Sequence, residues 1–303
     1  MESIVSKKNF KYYKNLIART LFCFAISTLI LLVFINEINI GAFQNRLILM
    51  PICTFALVTF AMHNIYIHII KVPDITISLK YIVVNGAMYD FGSIKSISFI
   101  GKKAFGDAYP EKEAAQIIFA DNTSFIIYDD YYSNSAELKL FLESVYLNKK
   151  LKIIPETKNS SSENFYWVRG GILGPHSISF ILIMGLLFII VNALEFKTLI
   201  VCGLFLILIS LFIKRFFYFG LSNNYLKIKS YTIPWLSHTY SLKNIKEVIF
   251  ESGGKAPNGM RIITHSYNNS FFYAATLYDK HWRKLKSSLE KKGIPVRDEI
   301  GLN

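Results

Sequence analysis

The segment TLIVCGLFLILISLFIKRFF, Thr198–Phe217, carries no charge from Thr198 to Ile213 and then meets Lys214 and Arg215. A helix rises about 1.5 Å per residue, so about 20 residues cross the roughly 30 Å hydrocarbon core of a bilayer. A soluble core needs no uncharged run of that length, and the segment reads as a transmembrane helix. Three more apolar blocks precede it, at Ile17–Ile35, Leu47–Ile70 and Ser177–Leu194. They pair into two hairpins, linked through Asn36–Arg46 and through Glu195–Lys197. Pro51 falls in the first turn of the second block, where its missing N–H costs little. The first block follows a basic start, but it is longer than a signal-peptide core and no small-residue cleavage site follows it.

The formal charge of +13 fits this picture. Lys and Arg collect at cytoplasmic flanks of spanning helices, and anionic lipid attracts them. No interleaved basic and aromatic stripe argues for nucleic acid. Cys23, Cys53 and Cys202 lie singly inside apolar blocks and read as small hydrophobes, not as a disulfide or metal site.

These readings divide the chain into a basic N-terminal segment (1–16), a first membrane hairpin (17–71), a first soluble domain (72–155), a linker (156–169), a second hairpin (170–217) and a second soluble domain (218–303). The stretch Met1–Arg19 predicts either a short surface helix or a disordered basic lead-in. Tyr166, Trp167 and Arg169 fit an interfacial belt. In the first soluble domain, β-branched and aromatic runs at Ile75–Leu79, Tyr81–Val84, Ala87–Phe91, Ile94–Ile100, Gln116–Ala120 and Ser124–Tyr128 predict strands. Asn85-Gly86 signals a hairpin. A helix follows Asp129 and Asp130, capped by Asn134 with Glu137, its stripe made of Leu138, Phe141, Leu142 and Val145. In the second domain the strands are Gly220–Ser222, Tyr225–Lys229, His238–Leu242, Ile245–Phe250, Gly259–Thr264 and Ser270–Tyr273. Its helix is Asp279–Lys292, with Trp282, Leu285 and Leu289 on one face, and Gly293 stops it.

The two soluble domains align. ISLKYIVVNG (Ile77–Gly86) matches LSNNYLKIKS (Leu221–Ser230), and YDFGSIKSISF (Tyr89–Phe99) matches YSLKNIKEVIF (Tyr240–Phe250). QIIFADNTSF (Gln116–Phe125) matches RIITHSYNNSF (Arg261–Phe271) with one extra residue, and the helix stripes match last. The expectation is a duplicated unit, an apolar hairpin followed by a small β domain. Short antiparallel strands closed by one amphipathic helix predict a strongly bent sheet.

On these segments, notably SIKSISF and NIKEVIF followed by the IIF…SFIIY and IIT…SFFYA hairpins, the chain resembles the membrane-flanked bacterial PH-like domain proteins. The resemblance implies an integral membrane fold with four transmembrane helices and two small α+β PH-like domains. It also implies a small-ligand, lipid or protein-docking barrel without shared chemistry.

Lys7–Arg19, Lys71, Arg169, Lys214 and Arg215 all fall on one side of the four-helix scheme. The positive-inside rule then places both termini and both β domains in the cytoplasm, at the inner membrane.

Reactive constellations are weak. His63 and His68 are five apart, on different helix faces, with no carboxylate near, and read as interfacial polar residues; His176 reads the same way. The loop Gly253–Gly259 lacks the Lys-Ser/Thr of a phosphate loop and joins two strands. Asp129 and Asp130 are strand neighbours that point apart, and no nucleophile or H-E-x-x-H pattern occurs. The sequence therefore predicts no enzyme, catalytic residue, metal site or cofactor. Its candidate contacts for anionic headgroups or a partner are Trp235, Lys227, Lys229, Lys243, Lys255 and Arg261 in the basic second domain. The expected function is non-enzymatic docking of membrane lipid, a protein partner or a second copy of the chain, and not of nucleic acid. Two alternatives are a self-protection (immunity) protein against a membrane-acting toxin and an accessory subunit of a transporter, which lacks support from broken helices or intramembrane charges.

Overall fold

The computed structural model describes residues 3–40, 49–106, 109, 111–148, 163–171, 185, 215–253 and 256–302. All of the expected helix Ser177–Leu194 but Gly185, most of Thr198–Phe217, His176 and Lys255 lie outside the described residues. The chain divides into two units, Met1–Leu151 and Lys152–Asn303.

In the first unit, α1 (Phe10–Asn39) and α2 (Leu49–Lys71) are both long and apolar enough to cross a membrane. They pack on each other, while Phe22, Leu29, Leu32, Phe55 and Ile69 stay exposed. An apolar outer surface of this extent suits lipid as the surrounding solvent. Helix α1 starts seven residues before the sequence predicts. Asn9 caps it, its side-chain oxygen accepting from Tyr12 N at 2.9 Å. The N-terminal stretch is therefore neither a surface helix nor a lead-in. Residues Ser3–Val5 form β1, which pairs antiparallel with β2 (Ile75–Ser78) on the far side of the helical hairpin. Asn134 holds β1 there: its Oδ1 accepts from Lys7 N at 2.9 Å and its Nδ2 donates to Val5 O at 2.8 Å. The expected Asn134 cap is thus not made by its side chain, which is committed to β1 instead.

β2 continues through β3 (Tyr81–Val84) and β4 (Ala87–Asp90), giving the order β1-β2-β3-β4. Asn85 (φ 48) and Gly86 (φ 87) turn β3 into β4 as the Asn-Gly pair predicts. A second sheet has β7 (Lys112–Phe119) at its centre. β8 (Ser124–Tyr128) lies on one edge, and β5 (Ile94–Ser98) and β6 (Lys102–Lys103) follow one another along the other. The core holds Ile4, Ile77, Ile82, Ile117, Phe119 and Ile127. Helix α3 (Ser135–Tyr146) adds Leu138 and Leu142 to it.

Among the described residues, the strands and closing helix of the second unit follow a similar order. β9 (Tyr166–Val168), β10 (Phe217–Leu221), β11 (Tyr225–Ser230) and β12 (Ser237–Ser241) form one antiparallel sheet in the order β12-β11-β10-β9. The predicted belt at Tyr166 and Trp167 is a strand, and Phe217 opens another, not the end of a helix. β13 (Ile245–Gly253), β14 (Ala256–Thr264) and β15 (Asn269–Tyr273) make the second sheet, and β16 (Val296–Asp298) joins it parallel to β13. Helix α4 (Asp279–Glu290) buries Trp282, Leu285 and Leu289 in the core.

Small features recur at matched positions. Ser78 Oγ accepts from Tyr81 N at 3.2 Å and donates to Tyr81 O at 2.9 Å; Ser222 does the same with Tyr225, at 2.9 and 3.2 Å. Asn122 (φ 63) and Tyr267 (φ 58) occupy the left-handed position of the β7–β8 and β14–β15 turns. In those turns Phe119 N donates to Thr123 O at 2.9 Å and Thr264 N to Asn268 O at 3.0 Å. The pairings Gln116↔Ile126 and Arg261↔Phe271 give the two turns equal length. The extra residue allowed by the sequence match is not in the turn, and Phe125 corresponds in register to Ser270.

Candidate functional site

The first sheet of the second unit has an inner face that enters the core and an outer face of cations and aromatic rings. Alternation along β9 and its flanks sends Phe165, Trp167 and Arg169 to the same side. From β10 and β11 come Tyr218, Lys227 and Lys229, whose neighbours Phe219, Leu226 and Ile228 are buried. Lys227 Nζ lies 5.3 Å from the Phe165 ring centroid, and Lys229 Nζ 5.3 Å from that of Trp167. The Arg169 guanidinium lies 5.3 Å from the Trp167 ring and 4.9 Å from the Tyr218 ring. Such contacts hold each cation over a ring while leaving its hydrogens free for an anion. Gly220 makes room for Trp167: a Cβ there would stand 2.6 Å from the indole. None of the three cations has a carboxylate partner among the described residues.

The turn between β11 and β12 projects from one end of this sheet. Leu236 N donates to Ile233 O at 2.9 Å and closes it, leaving Trp235 86% exposed at the tip. The foot of this turn touches both chain segments that flank the second apolar hairpin of the sequence. Tyr231 N donates to Phe216 O at 2.8 Å, and Tyr231 Oη donates to Gly170 O at 3.1 Å. Gly170 passes so close to Thr276 that a Cβ would stand 1.7 Å from its carbonyl oxygen. Arg169, Lys229 and the Trp235 tip therefore lie at the end of the unit where the chain leaves for the apolar blocks. Lys227 stands two residues further along the strand, about 7 Å away at the usual rise.

The other sequence candidates separate from this group. Lys243 is exposed in a short 3-10 turn at the opposite end of the β11–β12 ladder, where Tyr225 pairs with Ser241. Arg261 is engaged within its own sheet: Nε donates to Glu251 Oε1 at 2.7 Å, Nη1 donates to Asn269 Oδ1 at 2.9 Å, and the guanidinium lies 5.1 Å from the Phe271 ring. Lys255 lies outside the described residues. Sequence reasoning missed Phe165, Trp167, Arg169, Tyr218 and Tyr231 as members of a face. The alternation of Phe165, Trp167 and Arg169 was the signal that could have found them.

The first unit has a different polar centre. His63 is exposed, but His68 is fully buried where α2 meets the β structure, not placed at a lipid interface. Its ring is surrounded by Tyr12, Phe105, Tyr109 and Tyr131, with centroids 5.0–5.9 Å away. Its Nδ1 lies 2.9 Å from Asn64 O and donates to it, because a carbonyl can only accept. Asn64 binds outward as well: Nδ2 donates to Leu16 O at 3.3 Å and to Thr20 Oγ1 at 3.0 Å, and Oδ1 accepts from Tyr109 Oη. Arg19 covers the Tyr109 ring at 4.6 Å and Lys112 the Tyr131 ring at 5.1 Å. Burial lowers the Lys112 pKa, against the pull of Asp130 at 3.4 Å. Asp129 and Asp130 do point apart: Asp129 forms a buried ion pair with Lys139 of α3, while Asp130 bridges Lys11 and Lys112. This cluster fastens the helical hairpin to the β structure.

Among the described residues no group of three His, Cys, Asp or Glu side chains is placed to hold a metal ion. No protein-family model matches the chain, and no curated protein is detectably similar to it.

Proposed function

We propose that this chain is a non-enzymatic, multi-pass membrane protein. It carries two duplicated PH-like β modules at the cytoplasmic face of the inner membrane, and the second module docks on anionic lipid headgroups. Arg169, Lys227 and Lys229 carry the reading: three cations without carboxylate partners among the described residues, stacked on aromatic rings, on a sheet whose end adjoins both flanks of a predicted membrane hairpin. Trp235 supplies an amphipathic anchor at headgroup depth. The shared order of elements in the two units supports duplication, and four crossings would bring both modules out on one side.

Hydrogen exchange of the full-length protein in nanodiscs tests this. Amides of Tyr225–Ser241 are expected to exchange more slowly in phosphatidylglycerol discs than in phosphatidylcholine discs, and the difference should shrink with salt. Exchange that ignores lipid charge would refute the lipid role. Docking of a protein partner is a second reading, favoured by the first unit, whose sheet exposes Val5, Leu79, Tyr81 and Met88.

A further inference from the structure

In the first unit a cavity of about 230 Å³ opens beside the last turn of α2, between that helix end and the mouths of the two sheets. Three observations bear on what fits it. Lys71, the last residue of a helix long enough to cross a bilayer, lines the cavity and has no ion-pair partner among the described residues. A lysine there holds its ammonium at the level of lipid phosphates. Ile70, exposed on the outward side of α2, also lines the cavity, so the opening is continuous with the surface that faces lipid chains. The walls then divide by chemistry. Asn85 and Ser124 supply polar groups at the turns, and Phe119 and Phe125 supply an apolar floor.

We propose that this cavity holds one anionic glycerophospholipid of the adjoining leaflet. Its phosphate sits against Lys71, its glycerol against the Asn85 and Ser124 turns, and the start of one acyl chain against Phe119 and Phe125. A soluble phosphate ester would meet Lys71 but leave the apolar floor uncovered, and its loss of that contact separates the two sources. The site is distinct from the cationic face of the second unit and does not rest on it.

Native mass spectrometry of the full-length protein, released from phosphatidylglycerol–phosphatidylcholine nanodiscs into mild detergent, tests the proposal. One phosphatidylglycerol per chain is expected to survive release. Lys71→Gln should cut the retained fraction about tenfold, the usual size of one charge-assisted contact. Ser124→Trp, at an exposed strand start that accepts an aromatic residue, should occlude the cavity and abolish retention while circular dichroism stays that of the wild type. The triple variant Arg169→Gln, Lys227→Gln, Lys229→Gln should retain the lipid as the wild type does, even where it abolishes the lipid-charge dependence of exchange. A wild-type chain that emerges without lipid would overturn the proposal. So would retention unchanged in both cavity variants, loss in the triple variant alone, or displacement of the lipid by millimolar glycerol 3-phosphate.

Discussion

Along one rung of the first sheet in the first unit stand Val5, Thr76, Val83 and Met88; on the same rung of the second unit stand Trp167, Gly220, Lys227 and Thr239. The backbone ladder is shared, and the chemistry presented outward is not. On this rung the first unit is neutral, and the second carries a cation and an aromatic ring. The inner faces do not diverge in this way, since Ile77 and Ile82 match Leu221 and Leu226, all buried. Core positions are held by packing, which restricts them to apolar side chains of suitable volume. Outer positions carry no such restriction, so two units with one order of strands can keep a common scaffold and present different surfaces.

The units also differ in how they bury polar groups, and the largest test of that difference is alkaline pH. Burial raises the Tyr128 and Tyr131 pKa values to about 12 and raises that of Tyr132 as well. Their stabilising effect is intact below pH 10, the unfolded value, and is lost as pH climbs toward 12, because the unfolded chain ionises first. For Tyr128 and Tyr131 together the loss approaches about 5 kcal/mol at pH 12. Lys112, lowered by burial, acts with the opposite sign but is one group against three. In the second unit Tyr231 is raised by partial burial. Proteolysis with peptide mapping between pH 9 and 12 should show the first unit opening before the second; the reverse order would break the comparison.

A buried ion pair gives the next largest effect. Asp129 and Lys139 pair inside the first unit, whereas the equivalent backbone position in the second holds Ala274: Asp129 N donates to Glu113 O as Ala274 N donates to Asn258 O, both at 3.0 Å. Asp129→Asn leaves the Lys139 charge buried and should cost about 3–5 kcal/mol. The double change Asp129→Ala with Lys139→Leu removes both charges together and should recover most of that loss. Chemical denaturation of the detergent-solubilised protein, followed by circular dichroism, measures both variants.

How far the sequence showed these units depends on the length of each element and the distance to its partner. Strands with their own turns, such as Tyr81–Val84 before Asn85-Gly86, were legible because period and punctuation lie within ten residues. β1 and β9 were not. Each is three residues long, too short for a pattern, and each pairs across an inserted apolar block, Ser3 with Ser78 and Val168 with Phe219. Their residues read as membrane flanks because basic and aromatic side chains suit that role equally well. The candidate site was half legible for the same reason. Lys227, Lys229 and Trp235 stood out by charge and exposure signals, but Arg169 and Trp167 join them only through β9. Lys139 was hidden by its type, since a lysine on a helix is ordinarily solvated and only the buried Asp129 makes its position sensible.

Surface charge gives a third, smaller effect. Each Lys or Arg near an anionic leaflet contributes about 1 kcal/mol, so neutralising Arg169, Lys227 and Lys229 to Gln should remove about 3 kcal/mol of attraction. In phosphatidylglycerol nanodiscs, the slowed exchange of Tyr225–Ser241 should disappear in this variant. Lys227→Val, which copies Val83 of the first unit, should give about a third of the loss. A full loss from Lys227→Val alone would mean a single binding contact instead of a distributed field, which would sharpen the contrast between the faces.

The smallest effect probes what the units share. Ser78 and Ser222 each bond both the N–H and the carbonyl of a tyrosine three residues on, in turns that lead into matched strands. The hydroxyl substitutes for a backbone partner, so its loss leaves a donor and an acceptor less well satisfied at a sheet corner. Ser78→Ala and Ser222→Ala should each cost about 0.5–1.5 kcal/mol, the net value of one such hydrogen bond. Both serines are buried, so water will not replace the hydroxyl freely in either unit. In a Glu163→Ala background, which removes the carboxylate that also bonds Ser222, the two losses should agree within a few tenths of a kcal/mol, read from the exchange rates of Tyr81 and Tyr225 amides, because each hydroxyl makes the same pair of bonds to its tyrosine while the faces outside it differ. Unequal losses would mean that the outer faces reach into the turn and that scaffold and surface are not separable in this fold.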